Sequence, residues 1–325
     1  MKKLVSVILM IVMFVAVFVG CTQQSTKTGE SGQAESDNGE TFKIGYSCNN
    51  FNDTFQTYIV DAAKSYVAEN PGLSIDVQDA QEDVIKQQDQ INSFIQQKVD
   101  ALVVVPDDTS AMGPITKAAQ DADIPLVYVN RNPFGESEIP EGAYYVGSQE
   151  KIGGEMQMEF VGEKLGGKGN ICILMGILSN EGAIKRTEGV ESKIKEKYPD
   201  IKVLAKETGN WQRDQGLAIT ENWLTAYGED INAIIANNDE MALGALKALS
   251  NAGRKDVIVV GLDAIPDALA SIEAGELAAT VLQDAKGQGA GGLEIAHKAI
   301  KGEKLESIKW IPFKLITPDN LKDFK

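Results

Sequence analysis

The sequence contains a single histidine, His297, among its 325 residues. One imidazole excludes a histidine-rich metal site, and its predicted place inside a helix, away from the strand ends, excludes a Ser-His-Asp triad. The nucleophile motif G-x-S-x-G and the phosphate-binding motif G-x-x-x-x-G-K-S/T are both absent. We therefore expect neither a metal site nor a cofactor.

Cysteine is scarce as well, with three residues in the chain. Cys48 and Cys172 lie in or beside strand-like runs and lack the spacing of a pair, so we expect buried free thiols and no disulfide. Basic residues are also few, because 31 Lys and Arg face 47 Asp and Glu and give a net charge of −16. Nucleic-acid binding requires basic patches, so this balance argues against such a partner.

Residues 1–20 have the pattern of an export signal. Two lysines precede an apolar stretch that is shorter than the ~20 residues of a membrane span. A small residue before Cys21 is typical of a bacterial lipobox, in which cleavage leaves the cysteine carrying lipid; the alternative is an ordinary signal peptide with an incidental cysteine. Residues 21–40 are polar and lack aromatic side chains, which predicts a flexible linker. We therefore expect an extracytoplasmic protein anchored to the cell membrane by lipidated Cys21.

Hydrophobic residues make up 43% of the chain, which allows one large domain or two medium ones with ample core. From Phe42 onward, short apolar runs alternate with helical patterns, and the alternation restarts near residue 150. This predicts an α/β fold of two Rossmann-like lobes with parallel sheets, joined by a three-stranded hinge. The predicted crossings lie at residues 145–148, at 283–284 and near Ser307. The predicted segments are 41–146 with 284–307 for the N-terminal lobe, and 147–283 with 308–325 for the C-terminal lobe.

Three apolar runs between residues 231 and 284 end in polar residues, namely Asn238, Asp263 and Gln283. Ligands of open parallel sheets bind outside the carboxyl ends of the strands, so these side chains should converge on one cleft. They offer several hydrogen-bond acceptors, and the two amides offer donors too. The set suits a neutral polyhydroxylated ligand.

Further candidates follow other strands. Asn130 and Arg131 come directly after a predicted strand, where the alternative is a turn with a solvated arginine. Arg186 could grip two vicinal hydroxyls with its guanidinium fork, or could be a surface base. Trp211 and Phe55 each offer a flat apolar face to a sugar ring, or could simply be core aromatics.

Two patterns point to other chemistry. Residues 287–292 match G-x-G-x-x-G, but about one strand remains after them, whereas a dinucleotide fingerprint needs a full βαβ unit. Small residues that let a helix approach neighbouring backbone are the simpler interpretation. Asp53 and Asp263 could form the carboxylate pair of a glycoside hydrolase, although neighbouring amides and arginines favour ionised carboxylates over a general acid.

Several motifs resemble the bacterial periplasmic sugar-binding proteins of ABC importers, the galactose/glucose-, ribose- and inositol-binding family with the type I periplasmic-binding-protein fold. The most specific segments are IANNDEMALG at 235–244 and VGLDAIPDAL at 260–269, with TVLQD at 280–284, YYVG at 144–147, VNRNP at 129–133 and WQRDQG at 211–216. The resemblance covers nearly all of the chain after residue 41.

Carried over residue by residue, the resemblance implies these ligand contacts: Asp53, Phe55, Asn130, Arg131, Arg186, Trp211, Arg213, Asn238, Asp263 and Gln283. Gly182 stands where the galactose/glucose branch has an acidic hexose contact, and residues 166–169 are too short for that branch's calcium loop. Ribose, a hexose lacking that contact and a cyclic polyol such as inositol stay open as ligands.

The resemblance implies a monomeric receptor that closes its lobes over a monosaccharide or polyol and delivers it to an ABC permease, with no chemical step. A sugar-responsive transcription regulator would need a DNA-binding segment where this chain has its export signal. The alternative from a different class is a sugar-acting enzyme such as a glycoside hydrolase using Asp53 and Asp263.

Overall fold

Residues 41–135 and 137–324 are described by a computed structural model, in which twelve strands form two six-stranded sheets. The predicted signal segment, Cys21 and the linker lie outside the described residues. Both sheets belong to one compact unit.

The N-terminal part of the described chain alternates strand and helix as predicted. Its elements are β1 (Phe42–Cys48), α1 (Thr54–Glu69), β2 (Leu73–Asp79), α2 (Val84–Gln96), β3 (Ala101–Val104), α3 (Gly113–Asp121), β4 (Leu126–Val129) and β5 (Ala143–Gly147).

The alternation then continues to the C-terminal strands. These elements are α4 (Glu150–Lys164), β6 (Lys168–Met175), α5 (Glu181–Lys197), β7 (Asp200–Thr208), α6 (Arg213–Tyr227), β8 (Ala233–Ala236), α7 (Asp239–Asn251), β9 (Ile258–Asp263), α8 (Pro266–Glu273), β10 (Ala279–Leu282), α9 (Ala285–Ile300), β11 (Ile308–Trp310) and β12 (Lys314–Ile316).

The strand order is β11-β5-β4-β3-β1-β2 in one sheet and β12-β10-β9-β8-β6-β7 in the other. All neighbours are parallel except β10 and β12. The central strands β3, β4 and β8 consist of apolar residues that are all buried, because helices cover both faces of a parallel sheet. We call the first sheet with α1, α2, α3 and α9 the first lobe, and the second sheet with α4 to α8 the second lobe. This confirms the predicted α/β fold of two mainly parallel lobes.

The glycines of residues 287–292 bring α9 close to the first lobe. A Cβ added to Gly289 would lie 2.2 Å from the carbonyl oxygen of Ile59 in α1, and one added to Gly292 would lie 2.5 Å from Val129 Cγ2 in β4. The two glycines therefore allow a close helix approach, as the simpler interpretation of this motif predicted.

The third crossing lies at a different position from the predicted one. The sequence favoured one strand over residues 309–315 with the crossing near Ser307, but β11 pairs with β5 in the first sheet and β12 pairs with β10 in the second. The chain therefore passes between the lobes at residues 311–313, and the lobe boundary falls after Trp310. Pro312 lies at this point and has no N–H to donate, so it interrupts the hydrogen-bond ladder.

The described cysteines are buried free thiols, as predicted. Burial raises the pKa of Cys48 and of Cys172 to about 12, so both stay protonated. No helix in the described residues is both long enough and apolar enough for a membrane span.

Candidate ligand-binding site

A cavity lies between the lobes at the carboxyl ends of the strands, with about 380 Å³ of space unoccupied by protein atoms, part of it open to solvent. Every predicted ligand residue except Arg213 lines it. The lining residues are Asp53, Phe55, Gln56, Asn130, Arg131, Glu150, Asn180, Gly182, Arg186, Trp211, Asn238, Asp263 and Gln283. The structure thus brings nine of the ten predicted residues together, from segments that are far apart in sequence.

The first lobe contributes residues at the start of α1 and after β4. Asp53 caps α1, where its Oδ1 accepts from the backbone N–H of Phe55 at 2.9 Å. Asn130 is held at both ends of its amide: Oδ1 accepts from Gln56 Nε2 at 2.9 Å, and Nδ2 donates to Gln288 Oε1 at 3.0 Å. These contacts fix the direction of both side chains before any ligand arrives.

Arg131, which follows β4, is also buried in the first lobe. Its Nη1 donates to the backbone oxygens of Pro106 at 2.9 Å and Asp107 at 3.1 Å. Burial lowers its pKa, while the charges of Asp53 and Asp107 oppose the decrease. Burial likewise raises the pKa of Asp53, and Arg131 opposes that shift. Arg131 therefore lines the cavity, and its charge opposes the raised pKa of Asp53.

In the second lobe, Asn238 caps α7 and links it to the loop that carries Trp211. Its Oδ1 accepts from Met241 N at 3.0 Å and its Nδ2 donates to Trp211 O at 3.1 Å. The Trp211 ring lies directly over Gly176, where an added Cβ would be 2.0 Å from Trp211 Cζ2. Gly176 therefore provides the space that turns the indole toward the cavity.

Arg186 on α5 is the centre of a buried hydrogen-bonded ring. Its Nε donates to Glu150 Oε2 at 2.6 Å, Nη1 to Asn237 O at 2.7 Å and Nη2 to Gln283 Oε1 at 3.0 Å. Gln283 Nε2 closes the ring by donating to Glu150 Oε1 at 3.0 Å. Because a guanidinium has five N–H groups, two of them remain without an acceptor among the described residues. The guanidinium carbon also lies 5.6 Å from the centre of the Trp211 ring, within cation–π range.

Buried charges govern the electrostatics of this ring. Burial lowers the pKa of Arg186, but the charges of Glu150 and Asp263 outweigh it, and its pKa is raised. Burial raises the pKa of Asp263 well above its ordinary value, although Arg186 opposes the shift. The arginine is therefore firmly charged, and the Asp263 carboxyl depends on partners to stay ionised.

Three cavity residues have left-handed backbone. The φ angles are 70° for Asn130, 67° for Trp211 and 131° for Asp263. Such conformations are uncommon for residues other than glycine and cost of order 1–3 kcal/mol each, and they cluster at binding sites. Each of these residues directly follows or ends a strand or lies just before a helix, so the strained backbone aims its side chain into the cavity.

Arg213 lies outside this set, so its role as a ligand contact stays a prediction. As the first residue of α6 it points to the cleft rim, where Nε pairs with Glu240 Oε2 at 2.6 Å and Nη2 with Asp267 Oδ2 at 2.8 Å. Glu240 also accepts from Thr54 Oγ1 of the first lobe at 3.0 Å. These pairs at the second-lobe surface hold Arg213 away from the cavity.

The sequence interpretation missed Gln56, Glu150 and Asn180. Glu150 opens α4 directly after the first crossing, and this position next to a crossing was the available clue. Gln56 follows Phe55 and supports Asn130. Asn180 caps α5, with its Oδ1 accepting from Gly182 N at 2.8 Å.

The proposed carboxylate pair of a hydrolase finds little support in this geometry. Asp53 is committed to capping α1 and Asp263 lies beside the charged Arg186, so each carboxyl already has a structural or electrostatic role, although burial raises the pKa of both. Among the described residues, no group of three or more His, Cys, Asp or Glu side chains could hold a metal ion.

Comparison with known proteins gives the same fold and site type. Residues 44–304 match the model of the periplasmic binding protein domain. The putative rhizopine-binding protein of Rhizobium meliloti is 43% identical, with 87% of this chain and 92% of that relative covered. The ribose import binding protein of Bacillus subtilis is 33% identical, with 98% and 99% covered.

Among solved structures, an ABC transporter solute-binding protein from Bacillus halodurans with bound myo-inositol superposes with a TM-score of 0.82 and 40% identity. The superposition covers 88% of this chain and 97% of that one. The match spans both lobes and therefore the cavity between them. The chain belongs to the periplasmic binding protein domain family, among the sugar- and polyol-binding solute-binding proteins of ABC transporters.

Proposed function

We propose that this protein captures a neutral cyclic polyol of the inositol class. The observation that carries the proposal is the pair of Arg186 N–H groups left over after Glu150, Asn237 and Gln283 have taken the others. Two donors in a rigid planar fork match two vicinal hydroxyl oxygens. A ring that carries a hydroxyl on every carbon offers such a pair on all its edges.

The rest of the lining supports the same ligand class. Trp211 supplies a flat apolar face for the C–H bonds of a ring, while Asn238 and Asp263 supply acceptors at its edge. Asp53 and Asn130 approach from the first lobe. The chain is 40% identical to the solute-binding protein with bound myo-inositol and 33% identical to the ribose import binding protein of Bacillus subtilis. This difference favours the polyol over ribose.

Because residues of both lobes would contact the ligand, binding would close the lobes over it. A ligand shifts the balance between open and closed forms only by preferring the closed form, and bridging contacts provide that preference. The ligand leaves unchanged, because no chemical step is part of this mechanism.

Family membership implies an extracytoplasmic location and work in an ABC importer. We propose that lipidated Cys21 anchors the protein to the cell membrane and that the closed monomer docks on the permease.

Calorimetric titration with myo-inositol and with D-ribose tests the proposed ligand. We expect myo-inositol to bind at least about 100-fold more tightly, since a site that hydrogen-bonds hydroxyls leaves buried groups unpaired when a smaller ring occupies it. The dissociation constant should change less than about twofold when sodium chloride is raised, because the ligand is neutral. Tighter binding of ribose, or a steep dependence on salt, would contradict this assignment.

A further inference from the structure

Glu181 is an acidic side chain of the second lobe that faces the first lobe across the cleft. It is the first residue of α5 and stands between Asn180 and Gly182, which line the inter-lobe cavity together with Asn130 and Arg131 of the first lobe. Its Oε2 is buried and has no hydrogen-bond partner in the described residues. Separation of the lobes would open this end of α5 to water, because the residues on the other side of the cavity belong to the first lobe.

The charges around Glu181 do not balance its own. Glu150 on α4 is close: an added Cβ on Gly182, the next residue after Glu181, would lie 3.7 Å from Glu150 Oε2. Arg186 is the nearest buried cation, but its Nε is already paired with Glu150. Lys185 on α5 also faces Glu181, and its Nζ pairs with Glu188. From β5, the Tyr145 hydroxyl lies near both acids and donates to Asn130 O at 3.0 Å.

We propose that closure of the lobes over the ligand takes up one proton from solvent, and that Glu181 holds it. When the lobes separate, water reaches the carboxylate and the ionised form is stable. When they close, the carboxylate loses water and is left near Glu150. A proton on Oε2 removes the repulsion between the two acids. The inference rests on the proposed function, because ligand binding is what closes the lobes.

The titration of Glu181 supports the same direction. Burial, together with the charge of Glu150, raises its pKa to about 8, while Arg186 and Lys185 oppose the shift. In the open form an exposed glutamate titrates near pH 4.3. The closed form therefore binds more protons than the open form between these values, so closure is favoured as pH falls through this window and disfavoured as pH rises toward 8.

Calorimetric titration of the full chain with myo-inositol tests this. In two buffers of different ionisation enthalpy at pH 7, the wild type should show uptake of close to one proton per ligand bound. Between pH 6 and pH 8 its dissociation constant should rise by up to about tenfold per pH unit, as expected for one linked proton. Glu181→Gln should remove most of the uptake and flatten the pH profile, since the amide keeps the shape and carries no charge.

Glu196→Gln is the matched control, being the same change on the exposed end of α5, where Glu196 pairs with Lys193. It should behave like the wild type. The proton inference would be overturned if the heat of binding to the wild type did not depend on the buffer. It would also be overturned if the wild type and Glu181→Gln took up equal numbers of protons. Neither result would contradict the proposed ligand. Absence of any binding heat with myo-inositol would overturn the proposed ligand and this inference with it. A circular-dichroism melt of each variant checks that it is folded.

Discussion

The carboxylate of Glu150 fixes both the direction and the charge balance of Arg186. Both side chains are at least 94% buried, with 2% and 6% of their surface exposed. Removing one partner of a buried ion pair leaves an uncompensated charge, which is far more costly than breaking an exposed pair. The role of Glu150 is to position Arg186 and Gln283 toward the ligand.

Glu150→Gln should therefore weaken myo-inositol binding by about 10- to 150-fold, the equivalent of the ~1.5–3 kcal/mol of a hydrogen bond to a charged group. Glu155→Gln, on the same helix but in an exposed pair with Lys151, should change binding less than about threefold. Titration calorimetry on the two variants gives the comparison. Equal losses would mean that Glu150 acts only through general charge.

Trp211 should report the closing of the cleft. Its ring stacks on Arg186 and its Nε1 is buried without a partner, so a ligand at the ring face changes the surroundings of the indole. We expect ligand to shift the tryptophan emission and Trp211→Phe to remove most of that shift while binding survives. Trp223 and Trp310 stay in the variant as internal controls, and an undiminished shift would assign the signal to them.

The sequence predicted those site residues whose place is set by strand ends. Asn238, Asp263 and Gln283 follow buried apolar runs, and parallel strands bring their carboxyl ends to one edge. The sequence could not show that Arg213 lies outside the cavity lining, because its pairing with Glu240 and Asp267 depends on helices that are distant in sequence. Glu150 and Glu181 were missed because an acid in the first turn of a helix is ordinary. Only tertiary structure shows that Glu150 is buried and that Oε2 of Glu181 is shielded without a partner among the described residues.

At the scale of elements, α1 and α9 approach closely through Gly289. An added Cβ would meet the Ile59 carbonyl at 2.2 Å and Ala62 Cβ at 2.9 Å, and backbone cannot move aside cheaply. Overpacking of this kind typically costs about 1–3 kcal/mol, against a gain of up to ~1 kcal/mol in helix propensity.

Gly289→Ala should thus lower the free energy of unfolding by about 1 kcal/mol or more, measured by urea denaturation. Gly113→Ala provides the control, since an added Cβ at Gly113, the first residue of α3, meets no atom within 4 Å. It should be neutral or slightly stabilising. A stabilising effect at Gly289 would show that the helices separate freely.

The elements themselves were largely predictable because strand and helix periods differ and turns carry Pro and Gly. The exception is the C-terminal crossing. Residues 308–316 form one extended run in sequence, and nothing local shows that its two halves pair with different sheets. The run is divided because β5 offers an edge of the first sheet to β11, while β10 offers an edge of the second sheet to β12. Pro312 lies between the two short strands.

At the scale of the whole molecule, the proposed lipidation of Cys21 would decide where the protein resides. Cys21→Ser should prevent lipid attachment and release the protein from the cell membrane into the surrounding compartment. Fractionation of cells with labelling by a radioactive fatty acid measures both effects. Wild-type protein that carries no label yet stays with the membrane would contradict the anchor.

The three crossings also set the order in which contacts form. Any opening of the lobes turns about residues 148–149, 283–284 and 311–313, so displacement grows with distance from them. Glu150 and Gln283 adjoin two of these points and both belong to the second lobe, so their ring with Arg186 stays assembled while the lobes move.

The contact between Thr54 and Glu240 lies farther from the crossings, because β1 is three strands from β5, about 14 Å at the usual strand spacing. A ligand would therefore land on a preassembled second-lobe surface, which governs how fast it is captured. The first lobe then arrives as a cover, and its contacts govern how long the ligand is retained.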